Sequence, residues 1–326
     1  MQSFRTAIPK QDFSFSIDHQ DQILSMGSCF AQNMGLRLKN LKFPIIANPF
    51  GILYHPVVIA QNLDRLSHKM AYQNTDLIEN QQRWHSFDHH SSYSSDSPEQ
   101  TLKNINGDLQ KAATTLQETK VLLLTFGTAY AWRHLASNKL VANCHKLPAA
   151  HFEKILVPRE AIIEKLQSTL LRLKDQSPDL QCLLTVSPVR HLRDGLLNNQ
   201  ISKAILRLSA HYLTKELDFV HYFPSYEIMM DDLRDYRFYE RDLLHPSPMA
   251  LDYIWEHFQE SMMTTATQAS CQQIAKIKKA LAHRPFNPKT DAHQTFLTKT
   301  LAEIEKIEQK YPSVSFEQER CEIVPS

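Results

Sequence analysis

The stretch QILSMGSCFAQNMGLRLKN, residues 22–40, passes from a short apolar run into a helical pattern. Ile23, Leu24 and Met26 read as a strand, while Phe30, Met34 and Leu38 recur at spacing four, one face of a helix. Gly27, Ser28 and Cys29 stand at the junction. Ser28 falls at the N-cap, where a hydroxyl accepts a helix N–H. A serine at the tip of a strand and the head of a helix is also where an α/β enzyme often keeps its nucleophile. These residues alone leave both readings open.

Four more segments repeat the strand signal: 43–47 (FPIIA), 121–126 (VLLLTF), 181–186 (QCLLTV) and 218–223 (DFVHYF). They are short, apolar and largely unalternated, as strands buried on both faces are. Helical patterns lie between most of them. Residues 29–40 follow the first. Residues 160–174 place Ile162, Leu166, Thr169, Leu170 and Leu173 on one face, and 198–215 place Ile201, Ile205, Leu208 and Tyr212 on another. Strand alternating with helix predicts a parallel sheet covered on both sides, with ligands at the carboxyl ends of its strands. The chain holds only 6 glycines, and Gly27, Gly51 and Gly127 follow strand-like runs or lie just beyond them. Glycine there permits tight turns and close backbone approach.

Residues 56–118 interrupt the alternation. Within them, 88–98 is polar and turn-rich and reads as a surface loop, and 109–119 reads as a helix leading into the third strand. Ser247 and Pro248 open a helix at 248–260 carrying Ala250, Leu251, Ile254 and Phe258. Helical patterns at 268–283 and 291–310, split by RPFNPK, predict an appended helical hairpin. The expected organisation is one domain over 1–260, with an insert at 56–118, and a helical extension over 261–326.

Composition narrows the function classes. With 36 basic and 35 acidic residues the net charge is +1, so no electrostatic reason exists to expect nucleic acid or an acidic membrane surface. No run approaches the ~20 apolar residues needed to span a bilayer. The N-terminal residues lack an apolar secretory core, and the five cysteines, an odd number with no CxxC, read as free thiols. A cytoplasmic location is the expectation. His85, His89 and His90 share one segment, yet no HExxH and no matched acidic spacing accompany them, so neither metal nor other cofactor is expected.

The second chemical segment is 240–248, Glu-Arg-Asp-Leu-Leu-His-Pro-Ser-Pro. Asp242 and His245, three apart, can bring a carboxylate against an imidazole, fixing its tautomer and leaving the other nitrogen as a base. Cys29, at a helix start, is a rival nucleophile or a small buried residue.

A serine after the first strand, a glycine after the second, a glycine-containing turn after the third and Asp242-x-x-His245 before a late helix resemble the SGNH/GDSL hydrolases. Within that superfamily the chain is similar to the GSCFA-domain family, whose name spells residues 27–31. NPFGILYHP (48–56), GTAYAW (127–132), VANCHK (141–146), TVSPVRHLRDG (185–195) and YFPSYEIMMDDLRDYRFY (222–239) resemble it too. The resemblance implies a three-layer α/β/α, flavodoxin-like sheet with a C-terminal helical appendage. It implies Ser28 as nucleophile with Asp242 and His245, and an oxyanion hole from the N–H groups of Ser28 and Gly51. It places Gly127 in the third block, where an asparagine donor normally follows, but Ala129 stands at that position. Asn143 is the leading substitute, with Asn48, His145 and His191 behind it. Gly127, Thr128, His145 and His191 are candidate substrate contacts.

The function expected is serine-dependent ester hydrolysis that removes a small acyl group, such as acetyl, from a carbohydrate or related metabolite. An O-acyltransferase using the same serine is the nearest alternative. A non-catalytic glycan- or partner-binding domain is the other, favoured by Ala129.

Overall fold

The computed structural model describes residues 6–282 and 290–323. The first five residues, the whole RPFNPK break and the last three residues lie outside them.

Five parallel strands form the central sheet. β1 (Ile23–Gly27) is followed by α1 (Cys29–Asn40), β2 (Ile45–Ala47) and α2 (Pro56–Ser67). A hairpin of β3 (Leu77–Asn80) and β4 (Arg83–Ser86) precedes α3 (Pro98–Glu118) and β5 (Val121–Phe126). Next come β6 (Tyr130–His134), β7 (Lys139–Val141) and β8 (Phe152–Leu156), a small antiparallel sheet of their own. Then follow α4 (Arg159–Gln176), β9 (Gln181–Val186), α5 (Leu196–Glu216) and β10 (Val220–Tyr222). A short turn, α6 (Ser225–Glu227), runs into a π-helical turn at Ile228–Asp232. The remaining helices are α7 (Pro248–Met262), α8 (Thr265–Ala282), α9 (Asp291–Lys310) and α10 (Glu317–Ile323).

The strand order is β10-β9-β5-β1-β2, so chain direction across the sheet reverses between β1 and β5. That reversal opens a crevice at the carboxyl ends of the two strands. Their register, Ile23 against Val121 through Gly27 against Thr125, carries both to the same rim.

The unalternated strand sequences follow from burial on both faces. Along β5, Leu122, Leu124 and Phe126 pack with α2, α3, α4 and α5, while Val121 and Leu123 pack with α1 and α7. Both faces therefore demand apolar side chains. The caps at Ser28 and Ser247 work as the sequence indicates, and the structure adds Ser97 at the head of α3. Ser97 accepts the Gln100 N–H at 3.1 Å, and Ser247 accepts the Ala250 N–H at 3.4 Å. Ile274, Ile277, Ile304, Ile307, Tyr311, Val314 and Phe316 make a separate small core in the C-terminal helices. It meets the main body at Leu41 and through the Lys42–Glu319 ion pair at 2.7 Å.

Two expectations are corrected. The stripe Ile201, Leu208 and Tyr212 on α5 faces outward, each more than two-fifths exposed, and Ile205 is only half-buried. The inner face carries Ser202, Lys203, Leu206, Ser209, Ala210 and Leu213. The strands beneath bring bulky side chains upward, so small and polar residues let α5 approach, and apolarity alone misassigns the face. The segment 88–98 is not a free surface loop. His89 is 1% exposed, with its ring centroid 5.0 Å from Phe50, 4.9 Å from Tyr72 and 5.0 Å from Tyr93. The small sheet of β6, β7 and β8 has no counterpart in the sequence reading, because its strands are short and mostly half-exposed.

Besides His19 Nδ1, three buried histidines among the described residues keep a ring nitrogen without a partner: His55 Nε2, His89 Nε2 and His145 Nδ1. Burial is the main cause holding them neutral, with values of about 3, 3 and 4 against an ordinary 6.5. The unfolded chain therefore binds protons that the folded chain rejects, and stability rises with pH from about 4 to 6.5. Acidification from neutral pH to 5 should cost about 2 kcal/mol for each such histidine. Urea midpoints measured between pH 5 and 8 should show this slope. His89→Asn should reduce it by about one histidine's share.

Candidate active site

The site grows from the junction of β1 and α1. Gly27 has φ of 149°, and a Cβ there would stand 2.3 Å from the Thr125 carbonyl oxygen. Only glycine lets β1 leave the sheet this close to β5. Its N–H donates to Asn48 Oδ1 at 2.8 Å, and its carbonyl accepts the Leu53 N–H at 2.9 Å. The Asn48 amide in turn donates to Gln32 Oε1 at 3.0 Å. The turn after β2 is thus fastened to the end of β1 and to the first turns of α1.

Ser28 is the N-cap of α1. Its Oγ accepts the Phe30 N–H at 3.3 Å, and the residue is 1% exposed. Cys29, the first residue of the helix, is half-buried. Burial raises its thiol pKa and Asp242 pushes it further up, while the N–H groups of Phe30 and Cys29 and the Lys203 ammonium act to lower it. Cys29 thus lies within electrostatic reach of the carboxylate at 242 and the ammonium at 203.

Asp242 and His245 form the pair that their spacing indicates. His245 Nδ1–H donates to Asp242 Oδ2 at 2.6 Å. Asp242 Oδ1 accepts the N–H groups of Leu244 at 2.9 Å and His245 at 3.0 Å. These bonds hold its carboxyl down to about 2. An ionised Asp242 keeps the proton of neutral His245 on Nδ1, so Nε2 carries the lone pair of a base. Leu243 takes a left-handed φ of 59° to close this turn, and the Arg190 N–H donates to Leu244 O at 3.1 Å, tying it to the chain leaving β9. Both side chains are nearly half exposed, and no hydrogen bond joins His245 to Ser28.

The remaining sequence candidates separate. The Gly51 N–H donates to Asn48 O at 2.8 Å, and a Cβ at Gly51 would meet His90 Cβ at 2.4 Å. Its donor is spent inside its own turn and is not offered to an oxyanion. Asn143 accepts the His145 N–H at 2.9 Å. The His145 ring donates to Ser86 O at 2.7 Å and stacks on His85 at 4.6 Å. Asn143 and His145 thus lie beyond β7, against the turn that follows β4, and none of their hydrogen bonds or ring contacts among the described residues reaches Ser28, Cys29 or His245. Gly127 and Thr128 both donate their N–H groups to Tyr54 O, at 2.8 and 3.2 Å. Ala129 is fully buried and donates to Ser202 Oγ at 2.7 Å, so nothing replaces an asparagine at that point of the chain. His191 stays near the rim, its ring 6.5 Å from Tyr54 and its Nε2 3.7 Å from Asp194 Oδ2. Among the described residues no group of three or more His, Cys, Asp or Glu is placed to hold a metal ion.

Two contributors escape the sequence reading. Tyr54 roofs Gly127, with its Cδ1 3.0 Å from where a Cβ would be, and its phenol is raised mainly by burial and then by Cys29. Lys203, 2% exposed, donates from Nζ to Gly127 O at 2.9 Å and to Ser187 O at 2.7 Å. Correctly assigning the inner face of α5 would have exposed it, since a lysine at a buried helical position is a signal in itself.

Gly27→Ala should therefore cost about 3 kcal/mol or more in chemical denaturation, through a backbone clash and a strained φ. Gly107→Ala is the contrast. Nothing lies within 4 Å of a Cβ there, in mid-α3, and the change should stabilise by about 0.5–1 kcal/mol.

No curated protein and no solved structure matches the chain. No helix among the described residues is long and apolar enough to cross a membrane. The pattern of the GSCFA family matches residues 22–258, and that of the GSCFA domain protein, C-terminal domain, matches residues 274–323. The parallel sheet, the strand-to-helix turn that bears Gly27-Ser28-Cys29 and the Asp242–His245 pair all fall within the first match, and the chain belongs to the GSCFA family.

Proposed function

We propose that this chain is an acyl ester hydrolase of SGNH type, working through an acyl-enzyme formed at the head of α1. The observation that carries the reading is the Asp242–His245 pair, bonded at 2.6 Å with Nε2 left as the base. In the proposed reaction His245 takes the proton of the nucleophile as it attacks the acyl carbonyl. The alcohol leaves with that proton, and water, activated by the same imidazole, hydrolyses the acyl-enzyme. The positive end of the α1 dipole lies where the tetrahedral oxyanion forms. The resemblance to SGNH hydrolases supports a small acyl group, such as acetyl, on a carbohydrate or related metabolite.

The nucleophile expected from the resemblance is Ser28. Oγ is occupied by the Phe30 N–H and is 1% exposed, so attack needs a side-chain rotation and an approach by His245. One observation favours a second reading, in which Cys29 is the nucleophile: its thiol is only half-buried, whereas Ser28 is 1% exposed, although burial raises the Cys29 pKa.

Fluorophosphonate and iodoacetamide labelling, mapped by mass spectrometry, tests both. An adduct at Ser28 that disappears in Ser28→Ala, with p-nitrophenyl acetate turnover falling by about a hundredfold or more, supports the serine enzyme. Turnover lost in Cys29→Ala but kept in Ser28→Ala transfers the role to the thiol. Turnover unchanged in Ser28→Ala, Cys29→Ala and His245→Ala sinks the enzyme reading. Partitioning of product between water and an added alcohol distinguishes the hydrolase from an acyltransferase.

A further inference from the structure

Lys203 carries a charge that the fold does not answer. It is 2% exposed, and its Nζ meets only two carbonyl oxygens, of Gly127 and Ser187. Among the described residues it forms no ion pair with a carboxylate. The groups around it are Cys29 on α1, His191 on the loop before α5, and the Tyr226 ring of α6, whose centroid is 5.7 Å away. Burial drives its pKa down to about 7, and Cys29 acts in the opposite sense. Two carbonyls at the ends of β5 and β9 need only neutral donors, which a serine or an asparagine supplies without the desolvation cost of an ammonium. A buried cation held at the carboxyl-end rim that β1 and β5 share, and coupled electrostatically to the thiol at the head of α1, is suited to a negative charge that is present only part of the time.

We propose that Lys203 is the cation that stabilises negative charge at the head of α1, in place of the side-chain donor absent at Ala129. Gly127 and Ala129 belong to the same turn, and Lys203 is fastened to its first carbonyl, while the neighbouring Ser202 holds the Ala129 N–H. The charge that an asparagine dipole would supply from β5 arrives instead from α5. Preorganised positive charge in a site partly screened from water acts strongly on a developing oxyanion or thiolate. An arriving anion also draws the ammonium back into its protonated form, so the charge is strongest when the reaction needs it. His191 lies within electrostatic reach of Lys203, Lys154 and Arg193, with the Asp194 carboxylate 3.7 Å from its Nε2 and bonded to Lys154, so Lys203 remains a buried cation of this rim without a carboxylate partner among the described residues. The purpose assigned to the charge rests on the acyl-transfer reading, but the field is measurable without any substrate.

The test compares alkylation of Cys29 by iodoacetate, an anion, and iodoacetamide, which is neutral. Both rates are read on the whole protein by peptide mapping between pH 5.5 and 9. The thiolate fraction cancels in their ratio, leaving the local potential. The ratio at Cys29 should fall about fivefold to tenfold as pH rises through 7 and Lys203 loses its proton. The ratio at Cys144, half-buried just after β7, serves as the internal reference and should stay flat. Lys203→Met should hold the Cys29 ratio at its low value throughout, and Lys203→Arg should hold it high up to pH 9. A ratio in the unmodified protein that does not change with pH overturns the proposal, even if Lys203→Met does not fold. So does the same fall in Lys203→Met. This ratio and the covalent labelling by fluorophosphonate fail independently, so loss of one reading does not decide the other.

Discussion

The bond from the Gly27 N–H to Asn48 Oδ1, 2.8 Å long and buried, is what the working end of this protein is built around. β1 runs out between two parallel neighbours, and at its last residue the backbone comes within contact of Thr125. With no side chain at 27, the strand can stop there, and Asn48 supplies the acceptor that the departing N–H would otherwise lack. A buried N–H without such a partner costs on the order of 1–3 kcal/mol. Because the Asn48 amide continues to Gln32, the same bonds set the pitch at which α1 leaves the sheet. The direction of Ser28 and Cys29 is a consequence of that fastening.

The surroundings of this junction sort into two tiers. The inner tier is closed and satisfied: Ser28 caps, Ala129 donates to Ser202, and Tyr54 O takes the N–H groups of Gly127 and Thr128. The outer tier is charged and half open, with Asp242, His245, His191 and Cys29. Lys203 crosses between them, buried like the first group and charged like the second. Of the two backbone donors assigned by analogy, the Gly51 N–H is already spent on Asn48 O within its own turn.

Much of the fold was legible because burial on both faces leaves a plain signature. β5 and β9 coincide with the apolar runs 121–126 and 181–186, and α1 with the pattern 29–40. The Asp242–His245 pair was legible because it is local: three residues and one turn bring the groups together. What was missed is non-local. Lys203 lies on a helix whose most apolar stripe faces outward, so periodicity placed it on the wrong side. Gly51 matched a motif, yet the donor it was expected to offer is taken by Asn48 O two peptide units away. Asn143 was chosen for its side chain, but long-range packing of β7 against the β3–β4 hairpin region removes it from the rim.

By itself the sequence determined the alternation of strands and helices, the caps at Ser28 and Ser247, and the pairing of Asp242 with His245. All of these depend on residues within a few positions of one another, where spacing and backbone geometry decide. Only the tertiary structure decided which hydrogen-bond donors remain free, which face of α5 is buried, and that the Lys203 ammonium is buried against the carbonyls of Gly127 and Ser187. Those outcomes depend on which carbonyls and side chains distant parts of the chain deliver to the same few ångströms, and each group so delivered is consumed by the first partner it meets.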